Sequence, residues 1–314
     1  MKKLAIAMTM VAAGCGGDPS MMGMPASQFI AGFNPPASTA GETVFISPVI
    51  KGIQPGSDTT LCSYLDAHFT DQTDVVKFRV FQSGSGHHAL LYAAKRDRPI
   101  DTHVCTDDDM INTRLVAAGG SETGTVKALS TIPDGLAFRI PAGSQLMFQT
   151  HWINATSTVT DGQSTAYITT LPSSPSRQPL DLFNVLSTAF TIPAGAKSSV
   201  STTCTIKHDV SAFSLTGHEH EFGSHVTIEI IDSGKSSTVW SHDWQPEYSS
   251  NSPANYYPID HPFVFKAGQQ VKLTCEWNNV TPNDIRFPRE MCVSSSFYFP
   301  GHGEIDCEEG NWSE

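Results

Sequence analysis

Short apolar or β-branched runs alternate with turn-forming residues along most of the chain. Val75 to Phe81 (VVKFRVF), Gln145 to Ile153 (QLMFQTHWI), Val226 to Ile231 and Gln270 to Cys275 (QVKLTC) are each bounded by Gly, Pro, Asn or Asp, the pattern of strands. No segment keeps the period of a convincing amphipathic helix, so the fold class is all-β. Turn signals at Ile140-Pro141-Ala142-Gly143, Ile192-Pro193-Ala194-Gly195 and Lys266-Ala267-Gly268 mark the starts of sandwich strands. The two I-P-A-G copies have unmatched surroundings and read as similar turns rather than as a repeat.

A length of 314 residues suggests two domains, at about 150 residues each. The proline-rich stretch Leu171 to Pro179 (LPSSPSRQP) is the best linker, giving domains over 41–172 and 180–314. The 19 Lys and Arg against 31 Asp and Glu leave a net charge of -12, and the basic residues nowhere cluster, which sets nucleic-acid binding aside.

The first residues bring in the membrane. Lys2 and Lys3, the apolar run Leu4 to Ala13 and then Gly14-Cys15 read as a bacterial signal peptide over 1–15 ending in a lipobox, with Cys15 as the lipidated residue. Residues 16–40, rich in Met, Gly and Pro, read as a flexible tether. The expectation is an exported, lipid-anchored protein of the bacterial envelope, touching membrane only through that anchor. Cys62, Cys105, Cys204, Cys275, Cys292 and Cys307 remain, an even number that suggests three disulfides in all; two of the six lie in the first half and four in the second, which suggests pairing within each half, the connectivity open.

Candidate chemistry lies in the histidines. In Gly217-His218-Glu219-His220-Glu221-Phe222-Gly223, His218 and His220 would present two imidazoles on one face of an extended strand, a metal-binding geometry. Phe222 and Gly223 stand where a zinc hydrolase of the HxHxDH kind needs Asp and His, and Ser224 and His225 stand where a cupin wants Glu. In Gly84-Ser85-Gly86-His87-His88, neighbouring histidines can share a metal only at a bulge or strand end, and the glycines supply that freedom. His151 lies in an apolar strand, and Met291 lies in Arg289-Glu290-Met291-Cys292.

Taken together, these segments resemble the type II copper, ascorbate-dependent monooxygenases, the family of peptidylglycine alpha-hydroxylating and dopamine beta-monooxygenases. The resemblance runs in order from about Val44 to Cys307. His87-His88 is similar to the family's double-histidine motif, Gln149-Thr150-His151-Trp152 to its Q-V-H-Y strand, and His218 to Gly223 to its H-T-H-x-L-G motif. Tyr257 to Pro262 (YPIDHP) is similar to Y-P-V-E-H-P, and Glu290-Met291-Cys292 to E-M-C. The resemblance implies two antiparallel, jelly-roll-like β-sandwich domains in tandem, facing a cleft. It implies an electron-transfer copper on His87, His88 and His151, and an oxygen-activating copper on His218, His220 and Met291, the catalytic ligands. Imidazoles suit both copper oxidation states and a thioether favours Cu(I). The implied disulfides are Cys62–Cys105, Cys204–Cys307 and Cys275–Cys292.

One departure bears on substrate. Thr216, Val293 and Ser295 occupy the positions from which the peptide-hydroxylating members grip a carboxylate, so no bidentate clamp is evident. The reading that results is a copper monooxygenase hydroxylating an activated C–H bond of a small molecule or peptide with O2 and ascorbate or another small reductant. The alternative is a non-catalytic copper-binding or buffering surface lipoprotein. His261 is expected in structure behind the ligands, His225 at the surface, and Asp107-Asp108-Asp109 in a solvated loop; Asn154, Asn279 and Asn311 head N-x-S/T sequons.

Overall fold

Strands form where one face of an extended segment can be buried. In Asp181–Ser187 (DLFNVLS) every second residue is buried and those between are half-exposed, so one face enters a core. A computed structural model describes residues 28–120, 132–249 and 252–314. The signal peptide, its lipobox with Cys15, and residues 16–27 of the expected tether lie outside the described residues.

The chain is all-β, with two antiparallel sandwiches in tandem. In the first, one sheet runs in the order Glu42–Ile46, Ser164–Pro172, Thr73–Gln82, Leu136–Ile140, Gln178–Pro179. The other runs Thr102–Val104, Asp58–His68, Gln145–Ile153, Gly86–Ala94, Thr113–Gly119. Their inner faces, among them Val75, Phe78 and Val80 against Leu91, Leu146 and Phe148, make one core. In the second sandwich, Lys197–Thr205, Gln270–Asn278, Gly223–Asp232 and Lys235–Asp243 form a sheet in that order. The sheet facing it carries Ser214–His218, Cys292–Tyr298, Asp181–Ser187 and Ile305–Glu308 side by side. Three disulfides close the framework with the pairs the resemblance implies, Cys62–Cys105, Cys204–Cys307 and Cys275–Cys292. Such crosslinks belong to an oxidising, extracytoplasmic environment.

The two sandwiches repeat one another. Gln145–Ile153 runs into Asn154 and Gln270–Asn278 into Asn279, both side chains fully buried. Asn154 Nδ2 donates to the carbonyls of Ile53 and Thr158, while the backbone N–H and hydroxyl of Thr156 donate to its Oδ1. Asn279 makes the same set, with Ile192, Asn283 and Thr281. These two sequons are therefore structural side chains, whereas Asn311 is exposed. The turn that pairs with Ile192-Pro193-Ala194-Gly195 is Ile53-Gln54-Pro55-Gly56. Gly143 and Gly268, which donate to Phe69 and Ile206, mark a second matching pair. The shared letters are sparse, W-x-N-x-T in Trp152–Thr156 and Trp277–Thr281 and I-x-x-G in the two turns, so the repeat is carried mainly by hydrogen bonding.

Three other segments depart from expectation. The stretch taken as the linker is strapped to the first sandwich, because the fully buried Asp74 needs donors and takes them from Arg139 (2.8 Å), Arg177 (2.9 Å) and the Ser174 amide (3.1 Å). Residues 28–40 are not a free tether: Phe29, Ile30 and Phe33 pack with Phe81 and Tyr167, and the Ile30 amide donates to Gln163. Nor is the aspartate run a loop. Asp107–Ile111 is a helical turn capped reciprocally by Thr106 and Asp109. Burial works against ionisation of Asp109, but donations from Thr106, His103 and Tyr64 hold its carboxyl well below the usual range.

The sandwiches meet through Phe297, whose ring lies 5.5 Å from that of Phe138 and 5.8 Å from that of Phe213. Arg114 of the first half pairs with the buried Asp181 of the second at 3.0 Å. This junction sets the candidate site's two halves face to face.

Candidate metal centre

Each half brings its histidines to the same end of the molecule by a local device. In the first, Gly86–Ala94 pairs with Gln145–Ile153, and the register shifts between Gly86 opposite Trp152 and His88 opposite His151. This bulge lets adjacent His87 and His88 point the same way. Their rings are 5.1 Å apart, their Nδ1 atoms 3.0 Å apart, and each ring is 4.9 Å from His151. Gly86 is required, since a Cβ there would sit 2.2 Å from Gln82 Cγ. The second half has the same bulge, between Gly223 opposite Trp277 and His225 opposite Glu276. There His225 and Glu276 occupy the places that His88 and His151 hold in the first half.

His218 and His220 stand instead at the end of Ser214–His218, rings 5.1 Å apart. Glu290 positions them: its carboxylate accepts from the backbone of His220 (2.9 Å) and Phe222 (2.7 Å) and from Trp277 Nε1 (3.1 Å). Met291 follows directly, half-buried, and Cys292 is locked to Cys275. Thr216 pairs with Ser295 and His218 with Val293, so Met291, two residues before Val293, comes near the end of the strand that carries His218.

Both sets then meet across the sandwich boundary, with 5.8 Å between the ring centroids of His87 and His220. The carboxylate of Asp58, from the first half, accepts from His151 Nε2 at 2.6 Å and lies 3.7 Å from Arg289 of the second. Arg289 also pairs with Glu221, and its carbonyl accepts from His220 Nδ1 at 3.1 Å. Asp58, Arg289 and Ser252 had no local sequence signal, because each reaches the site from a distant segment.

Hydrogen bonding fixes which nitrogens are free. A carbonyl only accepts, so His220 carries its proton on Nδ1 and turns an unprotonated Nε2 inward; that atom is fully buried and has no hydrogen-bond partner. Ser252 donates its hydroxyl proton to Tyr248, so it accepts from His218 Nδ1 (3.1 Å) and likewise frees Nε2. Burial, reinforced by His151 and His220, lowers the pKa of His87 to about 4. Burial, then His220, lowers that of His218 to about 3. Burial drives His88 well below 6.5 and lowers His220 too. His87, His88, His218 and His220 thus present neutral imidazoles with lone pairs at neutral pH, which metal coordination demands. His87, His88 and His151 have ligand atoms within 4.8 Å of one another, close enough for one ion.

Between His218 and His220, Glu219 points the other way. It is fully buried, and its carboxyl lies against Gly223 with the backbone of Ser224 and Glu276 nearby. Burial, with the neighbouring Glu290, pushes its pKa up to about 10, so it stands as a neutral acid. His261 is exposed rather than placed behind the ligands, and His225 is half-buried, bonded to Asp243 and Ser241.

No protein-family model matches the chain, and no curated protein does. Among solved structures, the major capsid protein P2 of bacteriophage PM2 aligns over 82% of this chain and 98% of its own, with a TM-score of 0.34 and 8% identity. The CUB1-EGF-CUB2 region of human MASP-1/3 aligns over 82% and 99%, at 0.19 and 11%. The PBSX exported protein XepA aligns over 83% and 88%, at 0.22 and 8%. Similarity at this level bears on neither family nor function.

Proposed function

We propose that this chain is a copper-dependent monooxygenase, inserting one oxygen atom of O2 into an activated C–H bond of a small molecule or peptide. Two electrons and two protons, from ascorbate or another small one-electron reductant, accompany the second oxygen atom into water. The observation that carries the reading is the convergence of His87, His88, His151, His218 and His220 from both sandwiches, with the buried, unpartnered Nε2 of His220 among them. Copper, when bound, supplies the one-electron and O2 chemistry that no side chain here has.

The residues have separable tasks. His87, His88 and His151 would hold one ion, with Asp58 orienting His151. His218, His220 and Met291 would hold the other, with Ser252, the Arg289 carbonyl and Glu290 fixing the two imidazoles. The short path from His87 to His220 suits electron delivery between the sets without a long transfer through protein. On the strands beside His218, Thr216 donates to the Pro253 carbonyl and Ser295 to Asn184, so neither side chain offers a bidentate carboxylate clamp, which favours substrates lacking a carboxylate. We further propose attachment to the envelope through a lipid on Cys15.

Ascorbate-dependent O2 uptake coupled to a hydroxylated product, with a panel of amines, peptides and benzylic compounds, tests the reading. Copper binding without turnover across the panel would leave the buffering alternative, and a purified protein that takes up no copper would sink both.

A further inference from the structure

A second group of metal-type donors shares no residue with the histidine cluster. His208, His302 and Glu314 each offer one ligand atom, and these lie within 4.8 Å of one another. His208 is in the turn between Lys197–Thr205 and Val210–Ala212, His302 in the loop between Cys292–Tyr298 and Ile305–Glu308, and Glu314 follows Asn311–Ser313. Segments remote in sequence are thus gathered at one surface point. We infer that His208, His302 and Glu314 form a separate site for a divalent cation of the zinc class, clipping the Asn311–Ser313 strand to the rest of the sandwich.

The support around each donor is specific. Cys204–Cys307 ties the strand leading to His208 to the strand following His302. The Tyr298 hydroxyl accepts from the His302 amide at 3.2 Å and donates to the Gly303 carbonyl, and the Gly303 amide donates to Asp181 at 2.9 Å, so the His302 loop is pinned on both sides. The His208 ring lies 5.4 Å from that of His302 and 5.5 Å from that of Trp312. Its Nδ1 faces the Asp209 carbonyl at 3.4 Å, which places a proton there and turns Nε2 to Glu314 Oε2, at 2.8 Å.

The donor set is two imidazole nitrogens and one carboxylate oxygen, with no sulfur. That combination suits zinc and leaves a coordination position for water. Zinc–ligand bonds of about 2.0–2.2 Å put neighbouring donors roughly 3.4 Å apart in a tetrahedron. The half-exposed to exposed side chains reach that from their present positions by rotamer-scale movement, the ion taking the place of the proton shared by His208 and Glu314. The strand it would hold is short: Asn311–Ser313 is three residues long and, among the described residues, pairs with Ile305–Glu308 only. No residue is shared with the histidine cluster, so the inference stands whether or not that cluster binds copper.

Zinc titration calorimetry on the full chain tests it. A variant carrying His87→Ala, His151→Ala and His220→Ala should still bind one zinc ion; adding His302→Ala should abolish that binding, and Glu314→Gln should weaken it at least tenfold. Zinc should also slow amide exchange across residues 311–313 and change Trp312 emission, a change lost in Trp312→Phe. A triple variant that binds no zinc, or one whose zinc survives His302→Ala, overturns the inference. Should the triple variant fail to fold, His302→Ala alone, at an exposed loop position, should lower the zinc stoichiometry of the otherwise unaltered protein by one, and an unchanged stoichiometry overturns it equally.

Discussion

The imidazole of His87 in the first sandwich lies 5.8 Å, centroid to centroid, from that of His220 in the second. Ions held on the two ligand sets would therefore be magnetic neighbours. The doubly Cu(II)-loaded protein should show a dipolar-broadened or coupled electron paramagnetic resonance spectrum, which reverts to a simple type II signal in His220→Ala or His151→Ala. Two undisturbed, additive type II signals in the doubly loaded protein would show that the sandwiches separate on loading.

Asp58 acts through His151. Its carboxylate accepts from Nε2 at 2.6 Å, and this bond, followed by the charges of His151 and Arg289, lowers its pKa despite opposing burial. Residues that orient a metal-bound imidazole in this way contribute about 10–100-fold to affinity. Asp58→Asn is expected to weaken copper at the first set by that order while leaving the second set nearly unchanged, read by competition with a chelator. Equal losses at both sets would contradict the assignment.

Gly223 has no room for a side chain. A Cβ would sit 2.3 Å from Glu219 Oε2 and 2.4 Å from Trp244 Cδ1, both packed beneath the His218–His220 segment. Gly223→Ala should cost about 1–3 kcal/mol by overpacking and loosen copper at the second set. Glu219→Gln, which keeps the shape of a side chain already uncharged, should be close to neutral in thermal melts.

Acid acts on the metal-free protein through the depressed histidines. An unfolded chain takes up these protons near pH 6.5, whereas folded His87 waits until about 4 and His218 until about 3. The stability they confer is thus fully present above pH 6.5 and is lost progressively as pH falls towards 4 and below. At about 1.4 kcal/mol per pKa unit, His87 alone accounts for a few kcal/mol. Denaturant midpoints of the metal-free protein should fall over this window, and those of the copper-loaded protein at least as steeply, since coordinated imidazoles take up no proton until the metal leaves. A flat metal-free profile between pH 6.5 and 4 would mean that the histidines are solvated.

Asn154 and Asn279 occupy equivalent positions and each satisfies several otherwise orphaned backbone groups. Substituting either with Ala should destabilise by about 2–4 kcal/mol, since buried carbonyls and an amide lose their partners. The two losses should be similar, as measured by urea unfolding; a large loss in one half only would argue against the repeat.

The sequence by itself determined what depends on neighbours along the chain. Alternation of buried and exposed positions specified strands, as in Asp181–Ser187, because a strand's two faces are set by a period of two. The glycines before His87-His88 announced a bulge, and the bulge is there. The histidines that converge were all legible as candidates, because a metal ligand is recognisable by its own chemistry.

Only the tertiary structure decided what depends on partners far along the chain. Asp58 and His151 are 93 residues apart, and Arg289 comes from the other sandwich. Asp74 converted a proline-rich stretch that looked like a free linker into a strap, because a buried carboxylate gathers every donor within reach. The repeat between the sandwiches escaped the sequence because hydrogen-bond geometry at Asn154 and Asn279 is kept by a few scattered letters, while the turns they hold, Ile53 to Gly56 and Ile192 to Gly195, differ in their two central residues. Single residues carry their chemistry with them; the distances between them come only from packing.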